Sequence, residues 1–271
     1  MPTLTDLYVY PIKGLGGFRV TEAEITSRGL RHDRRWLLVD ENNRFLTQRK
    51  TPDMALLAVA PAHNGFLLTH RRRPELLPLY LPFEASAKRT AFVTIWDDMV
   101  WAWRGSKAAD EWLSAALSQP VHLVYMSDMV RREVEPDLNP EGQLASFADG
   151  YPFLLTSQAS LAELNARLAE PVGMDRFRAN LVVSEAAAEE EDGWHELQIG
   201  GLPFRAVRDC GRCKVTTIDQ QTAAISPDQE PLRTLGTYRR RERGIIFGQY
   251  VTGPGHGVLR VGDTVTVLSR R

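Results

Sequence analysis

The sequence predicts a mainly β protein with a few helices (α+β), arranged as one β-barrel module followed by a second, and three observations carry that expectation. Short stretches of alternating apolar and polar residues recur along the whole chain. Gly, Pro, Asn and Asp punctuate them at close intervals. Only two stretches hold a helical period behind a capping serine, those after Ser106 and Ser157.

In order, Thr5 to Tyr10 alternates as a half-buried strand and runs into the flexible turn Pro11-Ile-Lys-Gly-Leu-Gly-Gly17. Phe18 to Ile25 resumes the strand pattern, Gly29-Leu30 reads as a turn, and Arg34 to Asp40 reads as a more buried strand. A hairpin turn at residues 41 to 44 leads into Phe45 to Gln48. Leu56 to Val59 and Gly65 to Thr69 are further strands, followed by a basic loop, His70 to Arg73, expected to be solvated. Thr90 to Trp96 and Met99 to Trp103 form a hairpin joined by Asp97-Asp98. Ser106 caps a helix over Ala108 to Leu117, with Pro120 beyond its end.

A fresh β unit opens at Val121, so the division is placed there: residues 1–120 form the first module and 121–271 the second. A charged connection, Arg131 to Pro136, and a polar loop as far as Pro152 come next. Phe153 to Thr156 is a strand, and Ser157 caps a helix running to Leu168. Phe177 to Val183 is a strand, and Glu189 to Asp192 an acidic loop expected to be solvated. Leu197 to Ile199 and Leu202 to Val207 form a hairpin about Gly200-Gly201. Pro231 to Arg243 predicts a short helix with a basic end. Phe247 to Val251, Gly257 to Val261 and Thr264 to Leu268 close the chain as strands. This density of short strands suits a small closed barrel.

With 33 Lys and Arg against 34 Asp and Glu, the 271-residue chain lacks the global basic field that nucleic-acid or anionic-membrane binding usually requires. No nucleic-acid partner and no membrane are therefore expected. The N-terminus shows no charged region followed by an apolar one, and the chain is read as cytoplasmic. No P-loop and no dinucleotide-binding glycine pattern is present.

Arg208-Asp-Cys-Gly-Arg-Cys-Lys-Val-Thr-Thr-Ile-Asp219 holds both cysteines of the chain, Cys210 and Cys213. Positive charge at Arg208, Arg212 and Lys214 favours a thiolate there. Four chemistries compete for these sulfurs. A redox dithiol would place its first cysteine at a helix start, whereas the β-branched run after Cys213 favours a strand. Zinc would need about four ligands, and no second pair exists. Two buried small hydrophobes would suit cysteine but not its charged neighbours. The fourth reading is a single thiolate ligand to a transition metal carried by an organic cofactor.

Several short motifs occur in a fixed order: Tyr10-Pro-Ile-Lys-Gly14, Asp33-Arg-Arg-Trp36, Phe177-Arg-Ala-Asn180, Arg212-Cys-Lys-Val-Thr-Thr-Ile-Asp219, Phe247-Gly-Gln-Tyr250 and Val261-Gly-Asp263. In that order the chain resembles the MOSC-domain molybdenum enzymes, namely the bacterial reductases of N-hydroxylated compounds and the mitochondrial amidoxime reducing component. The resemblance spans nearly the whole chain. It implies a MOSC N-terminal β-barrel module followed by a MOSC domain, and a molybdenum cofactor, a molybdopterin carrying the metal.

By that likeness Cys213 is the catalytic metal ligand and Cys210 a non-ligand neighbour. Lys13, Arg34 and Arg178 are implied to hold the cofactor's phosphate, where guanidinium forks suit paired oxygens. Asn180, the loop Asp149-Gly150-Tyr151, Gly211 and Arg212 are implied as further cofactor-binding positions. Asp149 and Asp219 are candidates for proton supply. Two departures stand out: the hydroxyl donor that follows the lysine in mitochondrial relatives is Gly14 here, and the loop hydroxyls near Gly150 are missing. Backbone amides are expected to replace them. The implied substrate is a small N-hydroxylated compound, such as a hydroxylamine, amidoxime or N-hydroxylated base. With no cysteines left for an iron–sulfur cluster, electrons are expected from a separate protein of ferredoxin, flavodoxin or cytochrome type. The alternative is a cofactor carrier or sulfur-transfer protein, although the pyridoxal-phosphate domain of cofactor sulfurases is not present in this sequence.

Overall fold

A computed structural model describes residues 1–86, 89–135, 142–242 and 244–271. Its largest sheet curls on itself. The strands β1 (Thr3–Val9), β2 (Phe18–Val20), β12 (Phe153–Ser157), β13 (Leu181–Ser184), β14 (Trp194–Ile199), β15 (Leu202–Gly211), β17 (Gly244–Thr252) and β19 (Val265–Arg270) run in the order β19-β14-β15-β17-β12-β13-β1-β2. A bridge between Thr3 and Thr264, backed by the Leu4 amide donating to the Asp263 carbonyl at 2.9 Å, brings β1 back to β19. That contact closes the barrel and leaves fewer unpaired edges. The first two strands of the chain thus belong to the sheet otherwise made by its second half.

Period-two alternation fills this barrel. Leu155, Leu181, Val183, Leu197, Phe204 and Val251 point inward to a common core. Their neighbours Leu154 and Val182 pack outside with Ala179 and Cys210. The pair β12 and β13 is parallel, with α2 (Gln158–Asn165) in the connection, as parallel neighbours require. Ser157 caps α2 by accepting from the Ser160 amide at 3.0 Å.

The front of the molecule has its own core. The sheets β5 (Trp36–Val39), β11 (His122–Tyr125), β10 (Asp98–Arg104), β9 (Thr90–Ile95) and β6 (Leu57–Ala62), β7 (Gly65–His70), β8 (Leu79–Pro82) share Trp36, Leu38, Leu57, Phe66, Leu68 and Leu123 with Leu113 and Leu117 of α1 (Lys107–Leu117). Ser106 caps α1 through the Ala109 amide at 3.1 Å, as predicted.

Several sequence expectations are corrected, mostly where the chain leaves a strand toward the space between the cores. Gly29–Leu30 is a short strand, β4, paired with β3 (Glu22–Thr26) rather than a turn. The strand expected from Arg34 starts only at Trp36, because Arg34 is left-handed with φ 49°. Phe45 to Gln48 is not a strand: Phe45 keeps an isolated bridge to Val39 and Leu46 donates to the Leu38 carbonyl at 2.8 Å before the chain turns away. The strand expected from Phe177 starts at Leu181, after a turn with Arg178 at φ 56°. The 90–104 hairpin turns at Trp96-Asp97, with Trp96 at φ 53°, not at Asp97-Asp98.

The run after Cys213 is a 3-10 turn, Lys214–Thr217, and not a strand. The hydroxyls of Thr216 and Thr217 donate back to the carbonyls of Cys213 and Lys214 at 3.0 and 2.8 Å, which favours the turn over their β propensity.

The last helix, α3 (Leu232–Tyr238), is shorter than expected, and the acidic loop is not solvated. Glu191 and Asp192 are buried. Arg239, 4% exposed, bridges Asp192 and Glu189 at 2.7 Å each, and Arg241 of β16 (Arg240–Arg241) also reaches Asp192 at 2.7 Å. Buried charges need partners, and here the two runs of opposite sign supply each other. Arg243 and Pro136, parts of the basic helix end and the charged connection, lie outside the described residues.

His32 stacks on Phe83 with ring centroids 4.0 Å apart, and burial, aided by Arg31 and Arg35, pushes its pKa down to about 4. The unfolded chain therefore binds the extra proton between about pH 4 and 6.5, so this residue makes stability rise with pH across that window. Unfolding free energies from urea titrations at pH 7 and 4.5 are expected to separate less for His32→Phe than for the wild type, by about 1–2 kcal/mol. Equal separations would show that the ring is not held neutral.

Candidate cofactor site

One cavity of about 420 Å3 lies where these corrected segments meet. Its wall comes from the turn after β1 (Lys13, Gly14), the segment 45–49, the hairpin tip Trp96, the loop carrying Asp149 and Tyr151, the 177–180 turn, the 210–215 segment and Tyr250. Of the residues expected from sequence, Lys13, Arg34, Asp149, Tyr151, Arg178, Asn180, Gly211, Arg212 and Cys213 all line it. Gly150 does not line it; a Cβ there would meet nothing within 4 Å.

The cations are positioned through the backbone. Arg34 and Arg178, both left-handed, hold their guanidinium carbons 4.3 and 4.5 Å from the Tyr10 ring centroid. Such backbone strain collects at sites whose geometry is over-determined by their surroundings. Arg34 pairs with buried Asp33 at 2.6 Å and donates to the Arg178 carbonyl at 3.0 Å, while Arg178 donates to the Leu15 carbonyl at 2.7 Å. Burial, and then the proximity of Arg34, lower the pKa of Arg178 to about 10. An anion between the two would relieve both effects.

Lys13 pairs with Asp149, whose carboxylate also accepts from the Trp96 indole N–H at 3.2 Å. Burial lowers the Lys13 pKa, with Asp149 opposing it. Burial would raise the Asp149 carboxyl, but Lys13, Trp96 and Arg34 together hold it well below the usual carboxylate range. Because 54% of the Asp149 side chain is exposed at the cavity lip, water screens this pair and its net contribution to stability is small. An acid held this firmly ionised is a poor proton donor. Asp219, the other candidate, lies outside the cavity wall, its carboxylate taken up by Arg176, Thr222 and the amides of Gln221 and Thr222.

Gly14 adopts φ 81°, and a Cβ there would meet the Met54 methyl at 2.7 Å. A serine or threonine at this position would be strained by the left-handed backbone, whereas the Met54 methyl is the end of a flexible side chain that can shift. Gln48 ties this turn to the cysteine side: it donates to the Gly14 carbonyl at 2.7 Å and exchanges hydrogen bonds with Gln220 at 3.0 Å. Asn180 is buried, with its amide committed to the Tyr8 carbonyl at 3.1 Å and the Leu154 amide at 3.3 Å, so it sets the wall rather than offering a free donor.

The cysteines differ in setting. Cys210 is 2% exposed and accepts from Arg212 Nη1 at 2.9 Å. Cys213 is half-buried and starts the 3-10 turn. Sequence proximity links Arg212 to Cys213; in the structure its hydrogen bonds go to Cys210 and to the Phe177 carbonyl, and it acts on Cys213 through its charge alone. Arg208 pairs with Glu135 and lies over the Tyr151 ring. Sequence reasoning missed Arg49, Phe45 and Trp96, for which no local motif signals a role; a bulky aromatic at the tip of a tight hairpin is the one available hint.

Among the described residues, five cationic side chains line the cavity, namely Lys13, Arg34, Arg49, Arg178 and Arg212, against one carboxylate, Asp149. Arg212 Nε is buried with no hydrogen-bond partner among the described residues. Excess positive charge and an unanswered donor fit an anionic ligand, and the Cys213 thiol on the same wall fits a soft metal. These residues therefore suit a phosphate-bearing, thiolate-ligated metal cofactor. A closed barrel beside a second β module, with a cysteine and several cations facing one cavity, defines the class, and sequence comparison agrees: residues 1–120 match the MOSC N-terminal beta barrel domain and residues 143–266 the MOSC domain.

The chain belongs to the MOSC-domain family. It is 33% identical over 286 residues to human mitochondrial amidoxime-reducing component 1, covering 99% of this chain and 83% of that protein. It is 34% identical over 281 residues to human mitochondrial amidoxime reducing component 2, covering 97% and 82%. It is also 33% identical over 264 residues to the molybdenum cofactor sulfurase of Solanum lycopersicum, covering 90% of this chain and 32% of that protein.

Proposed function

We propose that this protein binds a molybdenum cofactor and reduces small N-hydroxylated compounds to the parent amines. The observation that carries the reading is the sharing of one cavity by the Cys213 thiol and the cationic wall of Lys13, Arg34 and Arg178. Cys213 would hold the metal; the three cations would hold the phosphate by charge-assisted hydrogen bonds. When bound, the molybdenum would supply a two-electron centre that takes up the oxygen of an N–O bond. The net change adds two electrons and two protons to R–NH–OH and yields R–NH2 and water.

The chain's own residues bind and orient. Tyr10 and Asp33 fix Arg34, and Asp149 and Trp96 fix Lys13, so the anion-binding groups need little rearrangement on loading. Tyr250, whose phenol is raised well above its usual pKa by the neighbouring Cys210 sulfur and then by burial, stays protonated on the wall. With Asp149 ionised and Asp219 outside, no wall carboxylate among the described residues is suited to donate protons, and water at the open lip is the source. A cytoplasmic location and a separate electron-transfer protein belong to the same reading.

Molybdenum-loaded protein with an artificial donor such as reduced methyl viologen is expected to reduce benzamidoxime or hydroxylamine. The similarity to a cofactor sulfurase supports a second reading, a cofactor carrier. Protein that contains molybdenum but fails with every N-oxygenated substrate tried would favour the carrier.

A further inference from the structure

Of the five cations on the cavity wall among the described residues, four already have hydrogen-bonded partners: Lys13 has Asp149, Arg34 has Asp33, Arg178 has the Leu15 carbonyl, and Arg212 has Cys210 with the Phe177 carbonyl. Arg49 differs. Its guanidinium carbon lies 4.6 Å from the Trp96 ring centroid, and no carboxylate or carbonyl takes its N–H groups among the described residues. Stacking on an indole fixes the plane of a guanidinium and leaves its edge free to donate.

That stack is itself held in place. Trp96 sits at the 90–104 hairpin tip with φ 53°, packs against Phe45 with ring centroids 4.7 Å apart, and spends its indole N–H on Asp149. The Arg49 amide is fixed by the Thr47 hydroxyl at 3.3 Å. A half-buried cation, oriented by an aromatic face and lacking an acceptor, is built to receive one.

We propose that Arg49 recognises an anionic group, a carboxylate or phosphate carried by the substrate, and so selects acidic N-hydroxylated compounds over neutral ones. This rests on the reductase reading for its substrate class, whereas the recognition itself is a binding property. The same anionic chemistry could come from the cofactor's own phosphate; among the described residues Arg49 is the wall cation whose guanidinium has no hydrogen-bonded partner at all, and the experiment separates the two sources.

The test compares benzamidoxime with 4-carboxybenzamidoxime on wild-type, Arg49→Gln and Arg49→Lys proteins, each loaded with molybdenum. Calorimetric binding to the oxidised protein, with no electron donor present, reads recognition without turnover. Wild type is expected to bind the carboxylate compound about tenfold more tightly than the neutral one, a preference lost in Arg49→Gln and partly kept in Arg49→Lys. Where turnover is observed, the same tenfold should fall on KM for the acidic substrate, with kcat and the neutral substrate little changed. Equal weakening of both compounds, or no wild-type preference, overturns the proposal. Loss of molybdenum from Arg49→Gln also overturns it, since that outcome assigns Arg49 to the cofactor's phosphate. If binding shows the preference but no variant turns over, the recognition stands and the reductase reading fails.

Discussion

Cys213→Ser is expected to abolish reduction of N-hydroxylated substrates while leaving the fold and most of the cofactor in place. The hydroxyl that replaces the thiol is far harder to deprotonate and is a hard donor, so it cannot supply the soft, strongly donating ligand the metal reading requires. Cys213 is half-buried at the start of a 3-10 turn whose carbonyl bonds do not use the side chain, so serine is accommodated. Retention is expected to persist because Lys13, Arg34 and Arg178 belong to other segments of the chain. Cys210→Ala is the companion variant. It removes an acceptor for Arg212 and a buried sulfur, at about 1–3 kcal/mol of stability, but is expected to keep most of the activity. Steady-state rates per bound molybdenum distinguish the two sites. Equal loss from both variants would mean that the sulfurs act together.

Arg178→Met is expected to do the opposite, removing the cofactor rather than inactivating it. The residue is on the cavity wall beside Arg34, and its burial makes its charge costly unless an anion answers it. Without it, molybdenum retained through desalting should fall by about tenfold or more, in line with the loss of a charge-assisted contact to a phosphate. Arg178 also donates to the Leu15 carbonyl and stands at φ 56°, so some loss of stability accompanies the change. Arg178→Lys separates the effects: it keeps the charge and should restore part of the retention. A variant that melts normally and keeps its molybdenum would remove Arg178 from the phosphate site.

The barrel was legible where one rule sufficed. Alternation of Leu155, Leu181 and Val183 against Leu154 and Val182 identifies strands because each has one face in the core. The caps at Ser106 and Ser157 were legible because a serine hydroxyl meets an amide only a few residues ahead. Reading failed where non-local contacts decide. Arg34, Trp96 and Arg178 take left-handed conformations that their residue types do not signal, and each lies on the cavity wall. The threonines after Cys213 favour a strand by propensity but turn the chain through their own hydroxyls. Glu191, Asp192 and Arg239 look like solvated charge runs until the barrel brings the two runs together.

The candidate site divides in the same way. Lys13, Arg34, Arg178 and Cys213 were found through motifs shared with a family, and each alone would pass for an ordinary surface or strand residue. Arg49 and Trp96 carry no such motif; only the meeting of a hairpin tip with the segment after Phe45 makes them neighbours.

We propose that this cavity holds molybdenum. Elemental analysis of the protein purified from a host able to make the cofactor tests it most directly. Close to one molybdenum per chain is expected, retained through gel filtration and strongly reduced in Arg178→Met. Wild-type protein that is folded and free of molybdenum after such expression would contradict it.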